Sequence, residues 1–216
     1  MKHHGMIFNA EMVHAILDGR KTQTRRMVKP QPFEDPRWGL SWASGGIANN
    51  KPIYCERNVN FNPITKAILD HGKPIRVGDI IWVRETFFWD EGSDKTVEQV
   101  AYKASTEMPR DVKAMGCRWT PSIHMPRWAS RIDLEVTAVR VERVQDISEE
   151  DALREGSFLN RCDCMPRRND KSPIQKGFTL HWCHIHGQSF GKLWNSIYAN
   201  WDANPWVWVY EFRRVK

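Results

Sequence analysis

The 216-residue sequence has no apolar run of the roughly 18 residues that a membrane-spanning helix needs, and its mean hydropathy is -0.60. Its N-terminal segment, MKHHGMIF, lacks the apolar core of a secretory signal. The five cysteines are an odd number, which argues against a disulfide framework. We therefore expect a cytoplasmic protein that has no membrane partner, and the sequence indicates no protein partner.

Several catalytic motifs are also missing from the sequence. It contains no glycine-rich phosphate-binding loop, no Gly-x-Ser-x-Gly nucleophile elbow and no His-Glu-x-x-His zinc motif. These absences exclude nucleotide-driven motors, α/β-hydrolases and zincin proteases.

Positive charge and tryptophan are abundant. Lysine and arginine number 32 against 26 acidic residues, which gives a net charge of +6 and a pI near 9.1. This excess favours an anionic partner such as RNA or DNA, although a merely solvated basic surface would have the same composition. Among the 11 tryptophans, four stand in periodic apolar contexts that predict core positions. They are Trp82, Trp194, Trp206 and Trp208.

The hydrophobic pattern predicts an α+β fold whose element order fits a mixed β-barrel with helices at its ends. The predicted elements are a helix from Asn9 to Gly19, a strand after Gly78, a strand over 131–144 with a bulge near Ala138, a helix from Ser148 to about Gly156, a helix containing Phe190–Tyr198 and a strand over Trp206–Phe212. The polar segment 20–26 is unlike a buried strand, so we expect it to line a cleft or an exposed edge.

Three of these segments resemble the ASCH domain, a PUA-like β-barrel. They are Gly19–Arg26 (GRKTQTRR), Gly78–Glu85 (GDIIWVRE) and Ser148–Gly156 (SEEDALREG). The stretch Trp119–Trp128, together with Asn204–Val209, is similar to the larger ASCH proteins of phages and prophages. The resemblance implies a single domain over 1–216, with insertions at about 30–74, 88–118 and 157–187.

The resemblance implies two activities. PUA-like domains commonly bind RNA, and a bacterial branch of ASCH proteins removes the acetyl group from N4-acetylcytidine. That branch uses a lysine and a threonine from the first motif and a glutamate from the later helix. The matching positions here are Lys21 as proton acceptor, Thr24 as nucleophile and Glu155 as proton donor, with Glu149 and Glu150 one to two helical turns away.

The chemistry of amide hydrolysis agrees with these residue types. A threonine hydroxyl needs a base, and a lysine serves as one only if desolvation or nearby cations lower its pKa. Arg20, Arg25 and Arg26 supply such cations. A regular strand would turn Lys21 and Thr24 to opposite faces, so a shared site requires a bend after the first helix.

A non-catalytic RNA- or DNA-binding module is the alternative. Its phosphate-binding rim would contain Lys21, Arg25 and Arg26, with Thr24 as a structural strand residue. The nucleoside or nucleic acid would also contact Arg20 and a second group of residues. This group consists of Trp82, Glu85, His124 and Arg127. A ribonuclease is the weakest alternative, because the sequence has no acidic cluster for a two-metal site.

The segment 161–186 contains six cysteine and histidine residues that suit zinc. They are Cys162, Cys164, His181, Cys183, His184 and His186. Their spacing selects no unique set of four; we take Cys162, Cys164, Cys183 and His186 as the candidate ligands of a structural zinc, against a metal-free loop. Such a zinc would fold the loop, and the proposed hydrolysis requires no cofactor.

Overall fold

The structure, a computed structural model, describes residues 1–35, 39–42, 53–54, 75–90, 92, 94–106, 116–156 and 185–216. These residues form three α-helices and ten strands. In chain order they are β1 (His3–Ile7), α1 (Ala10–Leu17), β2 (Gln23–Met27), β3 (Phe33–Asp35), β4 (Gly39–Trp42), β5 (Ile53–Tyr54), β6 (Ile80–Arg84), β7 (Phe87–Trp89), β8 (Val100–Tyr102), β9 (Asp133–Arg143), α2 (Glu149–Arg154), α3 (Ile185–Tyr198) and β10 (Trp206–Arg214). None of these helices is long and apolar enough to cross a membrane.

The central element is a five-stranded sheet with the strand order β1–β6–β9–β10–β2. β1 runs parallel to β6, and the other pairings are antiparallel. The sheet curls so that its two edge strands approach each other, and Arg26 Nη2 on β2 donates a hydrogen bond to the Ile7 carbonyl oxygen on β1 (2.8 Å). The predicted α+β class is confirmed, but the described strands form an open sheet rather than the closed barrel that we expected.

The predicted bulge lies in β9. Glu211 of β10 is opposite Ala138, whereas the next residue, Phe212, is opposite Val136, so Thr137 is the additional residue on β9. A bulge shifts the side-chain alternation by one position, which explains why the apolar residues of β9 change parity there. This prediction is confirmed.

The sheet has a hydrophobic core on each face. Trp206, Trp208 and Tyr210 of β10 face the core that α1 covers, while Val207 and Val209 face the core formed with α2 and α3. Because side chains alternate along a strand, burial on both faces requires an apolar residue at nearly every position of β10. Trp194 on α3 is also buried. The core positions predicted for these three tryptophans are confirmed.

The ends of α1 and α2 follow local signals. The Asn9 side chain caps α1, and Gly19 follows its end with a φ of +74°. The Ser148 hydroxyl oxygen accepts a hydrogen bond from the backbone N–H of Asp151 at the start of α2 (3.1 Å), and Gly156 follows its end with a φ of +77°. Both predicted helices are therefore confirmed.

The polar segment after α1 differs from the prediction. It forms the edge strand β2, yet Gln23, Thr24 and Arg25 are 0%, 1% and 2% exposed. The segment lies at a sheet edge, as expected, but it is buried rather than exposed. Other elements supply its polar partners, such as the Asp151 carbonyl oxygen on α2, which accepts a hydrogen bond from Gln23 Nε2 (2.7 Å).

Parts of the predicted insertions also have regular structure. β3, β4 and β5 form a three-stranded antiparallel sheet, and β7 pairs with β8. Most of the third predicted insertion, 157–187, lies outside the described residues.

Candidate functional site

Lys21 and Glu155, two of the three predicted catalytic residues, are in direct contact. Lys21 lies in the turn between α1 and β2, and Glu155 follows the last residue of α2. Lys21 Nζ donates hydrogen bonds to Glu155 Oε2 (2.6 Å) and to the Glu155 carbonyl oxygen (2.8 Å). The two side chains are 0% and 3% exposed. The fold thus brings together two charged groups that are 134 positions apart in the sequence.

Close packing of the helix ends produces this contact. The backbone N–H of Lys21 donates to the Ala15 carbonyl oxygen at 2.9 Å, and that of Thr22 donates to the Arg154 carbonyl oxygen at 2.8 Å. A Cβ atom on Gly156 would lie 2.8 Å from Ala15 Cβ and 3.2 Å from Lys21 Cβ. Only glycine fits here, so Gly156 allows α2 to bring Glu155 to Lys21.

The electrostatic surroundings make Lys21 a weaker base than an exposed lysine. Burial lowers the pKa of the Lys21 amine below its ordinary value, and Glu155 offsets this only in part. The positive charges of Arg26 and Arg25 lower the pKa of Lys21 further. A lysine with a lowered pKa has a larger neutral fraction near neutral pH, which is the form that accepts a proton.

Thr24 is buried on β2 directly opposite Tyr210 of β10. Residues opposite each other in a sheet share a face, so Thr24 lies on the Tyr210 face and Arg25 on the other. Because Lys21 precedes the strand, strand alternation does not fix the direction of its side chain. No described residue hydrogen-bonds to the Thr24 hydroxyl, whereas Lys21 and Glu155 bind each other.

Arg25 is the second cation that binds Glu155. Its Nη1 donates to Glu155 Oε1 (3.0 Å), its Nε and Nη2 donate to Glu142 Oε1 (2.9 and 2.5 Å), and Nη2 also donates to Asp151 Oδ2 (3.1 Å). The side chain is 0% exposed. Carboxylates therefore engage every nitrogen of the guanidinium group that we expected to contact phosphate.

Arg140 on β9 binds two of the same carboxylates, Glu142 and Asp151. Its Nε donates to Glu142 Oε2 (3.0 Å), its Nη2 donates to Asp151 Oδ2 (2.5 Å), and its Nη1 donates to Glu211. None of the four residues Arg140, Glu142, Asp151 and Glu211 was predicted as a site residue from the sequence. Two signals were present: Arg140 and Glu142 alternate with apolar residues along β9, and Asp151 lies one helical turn before Glu155.

Arg20 and Arg26 lie apart from this ion network. Arg20 is exposed and pairs with Asp18 (2.8 Å). Arg26 is half-buried, and its guanidinium carbon is 5.2 Å from the centre of the Phe8 ring. Arg26 nevertheless lies close enough to Lys21 to lower its pKa.

Trp82 and Arg127 meet at a separate place on the surface. The Trp82 ring is only half-buried, so the core position predicted for it is wrong. It packs against Gly5, and the guanidinium carbons of Arg84 and Arg127 are 5.4 and 5.8 Å from its centre. His124 is exposed in a neighbouring short turn. We call Trp82, Arg84 and Arg127 the basic-aromatic surface.

Glu85 belongs to a third cluster. It is 2% exposed and accepts two hydrogen bonds from Arg131, at 2.8 and 2.9 Å. The Arg131 guanidinium carbon in turn lies 4.1 Å from the centre of the Tyr102 ring. Burial raises the pKa of Tyr102 to about 12. The structure therefore places Glu85 in an internal ion pair, separate from Lys21 and Glu155.

The predicted zinc ligands lie largely outside the described residues. This applies to Cys162, Cys164 and Cys183, while His186 lies in α3 with its side chain not described. Within the described part of the chain, no group of three or more His, Cys, Asp or Glu side chains could hold a metal ion.

Comparison of the chain with protein-family models, with curated proteins and with solved structures finds no match.

Proposed function

We propose that this protein is an ASCH-type, PUA-like hydrolase that removes an acyl group from the exocyclic amine of a modified pyrimidine such as N4-acetylcytidine. The observation that supports the proposal is the buried contact between Lys21 Nζ and Glu155 Oε2 at 2.6 Å. A buried ion pair adds little net stability, because desolvation offsets much of the attraction between the charges. A chemical role explains the presence of this pair better than a structural one.

The pair can generate a base and an acid together. Transfer of one proton from Lys21 to Glu155 gives a neutral amine and a carboxylic acid, and it leaves the total charge of the buried cluster unchanged. In the proposed reaction, substrate binding brings the Thr24 hydroxyl within hydrogen-bond distance of Lys21. Lys21 then accepts the hydroxyl proton of Thr24 while Thr24 Oγ1 attacks the acyl carbon.

The remaining steps restore the resting charges. The carbon–nitrogen bond breaks, and the departing amine receives the proton from Glu155, which leaves an acyl ester on Thr24, an ammonium on Lys21 and a carboxylate on Glu155. Water then hydrolyses the ester, releases the carboxylic acid and regenerates the hydroxyl. No metal or organic cofactor is needed for this sequence.

The test is deacetylation of N4-acetylcytidine, followed by chromatography, with the wild type and the variants Lys21→Met, Thr24→Val, Thr24→Ser and Glu155→Gln. Thr137→Val is the matched control, because it removes a threonine hydroxyl at the exposed bulge of β9. We expect turnover by the wild type and the control, reduced turnover by Thr24→Ser and none by the other three variants. Intact-mass analysis should detect an acetyl group on Thr24 during turnover.

Absence of deacetylation by the wild type would refute the proposal for this substrate. Turnover by Thr24→Val at the wild-type rate would refute the role of Thr24 as the nucleophile, even if the wild type deacetylates the substrate.

The basic-aromatic surface favours a second candidate, a non-catalytic RNA- or DNA-binding module. An aromatic ring beside two guanidinium groups suits a nucleobase and its phosphate, and the net charge of +6 has the matching sign. This candidate predicts that affinity for single-stranded RNA falls steeply with salt. It also predicts that Arg84→Ala or Arg127→Ala weakens binding, whereas Thr24→Val has no effect on it.

A further inference from the structure

We propose that Arg25 is a positioning residue that fixes the Glu155 carboxylate against Lys21, and that Arg140 holds Arg25 in place through Glu142 and Asp151. The inference rests on the proposed function, since it assigns the residue that orients the proton donor. The effect of Arg25 on the ion network can also be measured without substrate.

The two oxygens of Glu155 bind different cations. Oε2 accepts from Lys21 (2.6 Å) and Oε1 accepts from Arg25 (3.0 Å). Rotation of the carboxylate out of this plane would break both hydrogen bonds, so Arg25 fixes the orientation of the carboxylate toward the amine. Within the described part of the chain, these two residues are the only cations that pair with Glu155.

Arg25 is itself held rigidly. Its planar group binds Glu142 through two nitrogens, and its guanidinium carbon lies 5.7 Å from the centre of the Phe190 ring on α3. Arg140 binds the second oxygen of Glu142 and shares Asp151 Oδ2 with Arg25. A guanidinium group engaged on both edges and across its plane has little freedom to move.

A purely structural role for Arg25 would be to attach α2 to the sheet. Other contacts already do this: the Asp151 carbonyl oxygen accepts from Gln23, the Arg154 carbonyl oxygen accepts from the Thr22 N–H, and Arg140 binds the Asp151 side chain. The hydrogen bond from Arg25 to Asp151 only repeats this attachment, whereas its hydrogen bond to the Glu155 carboxylate also orients that group. Loss of Arg25 should therefore change the orientation of Glu155 more than the attachment of α2 to the sheet.

The experiment compares Arg25→Gln, Arg25→Lys and Arg140→Gln with Arg213→Gln. Arg213 is the matched control, because it forms an exposed ion pair with Glu135 elsewhere on the sheet. Three quantities are measured: kcat and KM for N4-acetylcytidine across a range of pH, the titration of Lys21 by NMR with label at the lysine ε-carbon, and stability in urea. The Lys21 signal is assigned by its loss in Lys21→Met.

We expect kcat to fall about 100-fold in Arg25→Gln, with KM changed by less than a factor of about 3, as misorientation of a reacting group predicts. Arg25→Lys keeps the positive charge but not the planar guanidinium group, so its kcat should lie between those of Arg25→Gln and the wild type. The kcat of Arg140→Gln should be roughly tenfold below that of the wild type. The pKa of Lys21 should rise in Arg25→Gln, because the charge of Arg25 lowers it in the wild type. Arg213→Gln should match the wild type.

The charged groups around the pair determine how this titration is interpreted. They are Arg25 and Arg26 on β2, Arg140 and Glu142 on β9, Asp151 on α2 and Glu211 on β10. An unchanged Lys21 titration together with an unchanged kcat in Arg25→Gln would overturn the inference, as would equal losses of kcat in Arg25→Gln and Arg213→Gln.

The inference and the proposed function can fail separately. If the wild type does not deacetylate the substrate, the function is refuted, and the Lys21 titration alone then decides whether Arg25 acts on the pair. If Arg25→Gln does not fold, Arg25→Lys and Arg140→Gln decide the question with the same measurements, and wild-type values in both would overturn the inference.

Discussion

Replacing Lys21 by methionine should destabilise the protein, whereas replacing both Lys21 and Glu155 by methionine should cost much less. The single variant leaves the Glu155 carboxylate 3% exposed without its closest partner. Removal of one member of a buried ion pair typically costs about 3–5 kcal/mol. Because Arg25 still donates to Glu155 at 3.0 Å, we expect the lower end, about 3 kcal/mol.

The double variant removes both charges together. Arg25 then loses the hydrogen bond from Nη1 to Glu155 and keeps its three hydrogen bonds to Glu142 and Asp151. Apolar replacement of a whole buried pair is often neutral, or stabilising by about 1–4 kcal/mol. We expect the double variant to be within about 1 kcal/mol of the wild type, or more stable, and to be inactive.

The double-mutant cycle contains the wild type, Lys21→Met, Glu155→Met and the double variant. Urea unfolding of these four proteins, followed by tryptophan fluorescence, measures the coupling free energy between Lys21 and Glu155. A Lys21→Met variant as stable as the wild type would refute the reasoning. Strictly additive losses in the double variant would also refute it, because they would mean that the two charges do not interact.

The contribution of Lys21 to the free energy of unfolding depends on pH, and the lowered pKa of Lys21 gives the sign of this dependence. The pKa of Lys21 is lower in the folded protein, so the unfolded chain binds more protons between that value and the ordinary lysine value. The Lys21 contribution therefore increases stability as pH rises through this interval. The stability difference between the wild type and Lys21→Met should be larger at about pH 9 than at neutral pH.

Two further predictions concern single positions. Gly156→Ala should lower the free energy of unfolding by about 2–4 kcal/mol, because the new Cβ would lie 2.8 Å from Ala15 Cβ. Gly19→Ala should lower it by only about 1 kcal/mol, because no other atom lies within 4 Å of the new Cβ. Equal losses in urea would contradict the packing argument. The backbone N–H of Lys2 donates a hydrogen bond to Asp79 and lowers the pKa of this carboxyl group to about 2. The Asp79 carboxylate therefore stabilises the folded protein above its unfolded pKa of 3.8, and this contribution is lost as the pH falls toward 2. Asp79→Asn should remove this component of the acid unfolding profile; an unchanged profile would contradict it.

Features that depend on local contacts could be predicted from the sequence. The ends of α1 and α2 follow from Asn9, Gly19 and Ser148, because caps are contacts between residues a few positions apart. The bulge at Thr137 could be predicted for a similar reason, since the change in apolar parity is visible within one strand.

Features that depend on distant partners could not be predicted in the same way. The burial of Arg25 requires carboxylates from β9 and α2, which the local pattern of β2 does not indicate. The openness of the sheet depends on how far β1 and β2 curl toward each other, and an alternating pattern leaves that curvature undefined. The structure places Lys21 against Glu155, and the catalytic roles of Lys21, Thr24 and Glu155 remain predictions.

The position of Lys21 has a practical consequence for studies of folding. Its amine is covered by a helix end that the ribosome makes long after β2, so a chain that has not yet formed α2 leaves this lysine in water. A lysine-selective reagent should therefore modify Lys21 much faster in molecules in which α2 has separated from the turn that contains Lys21. The extent of labelling at this one position would count incompletely folded chains in a mixture.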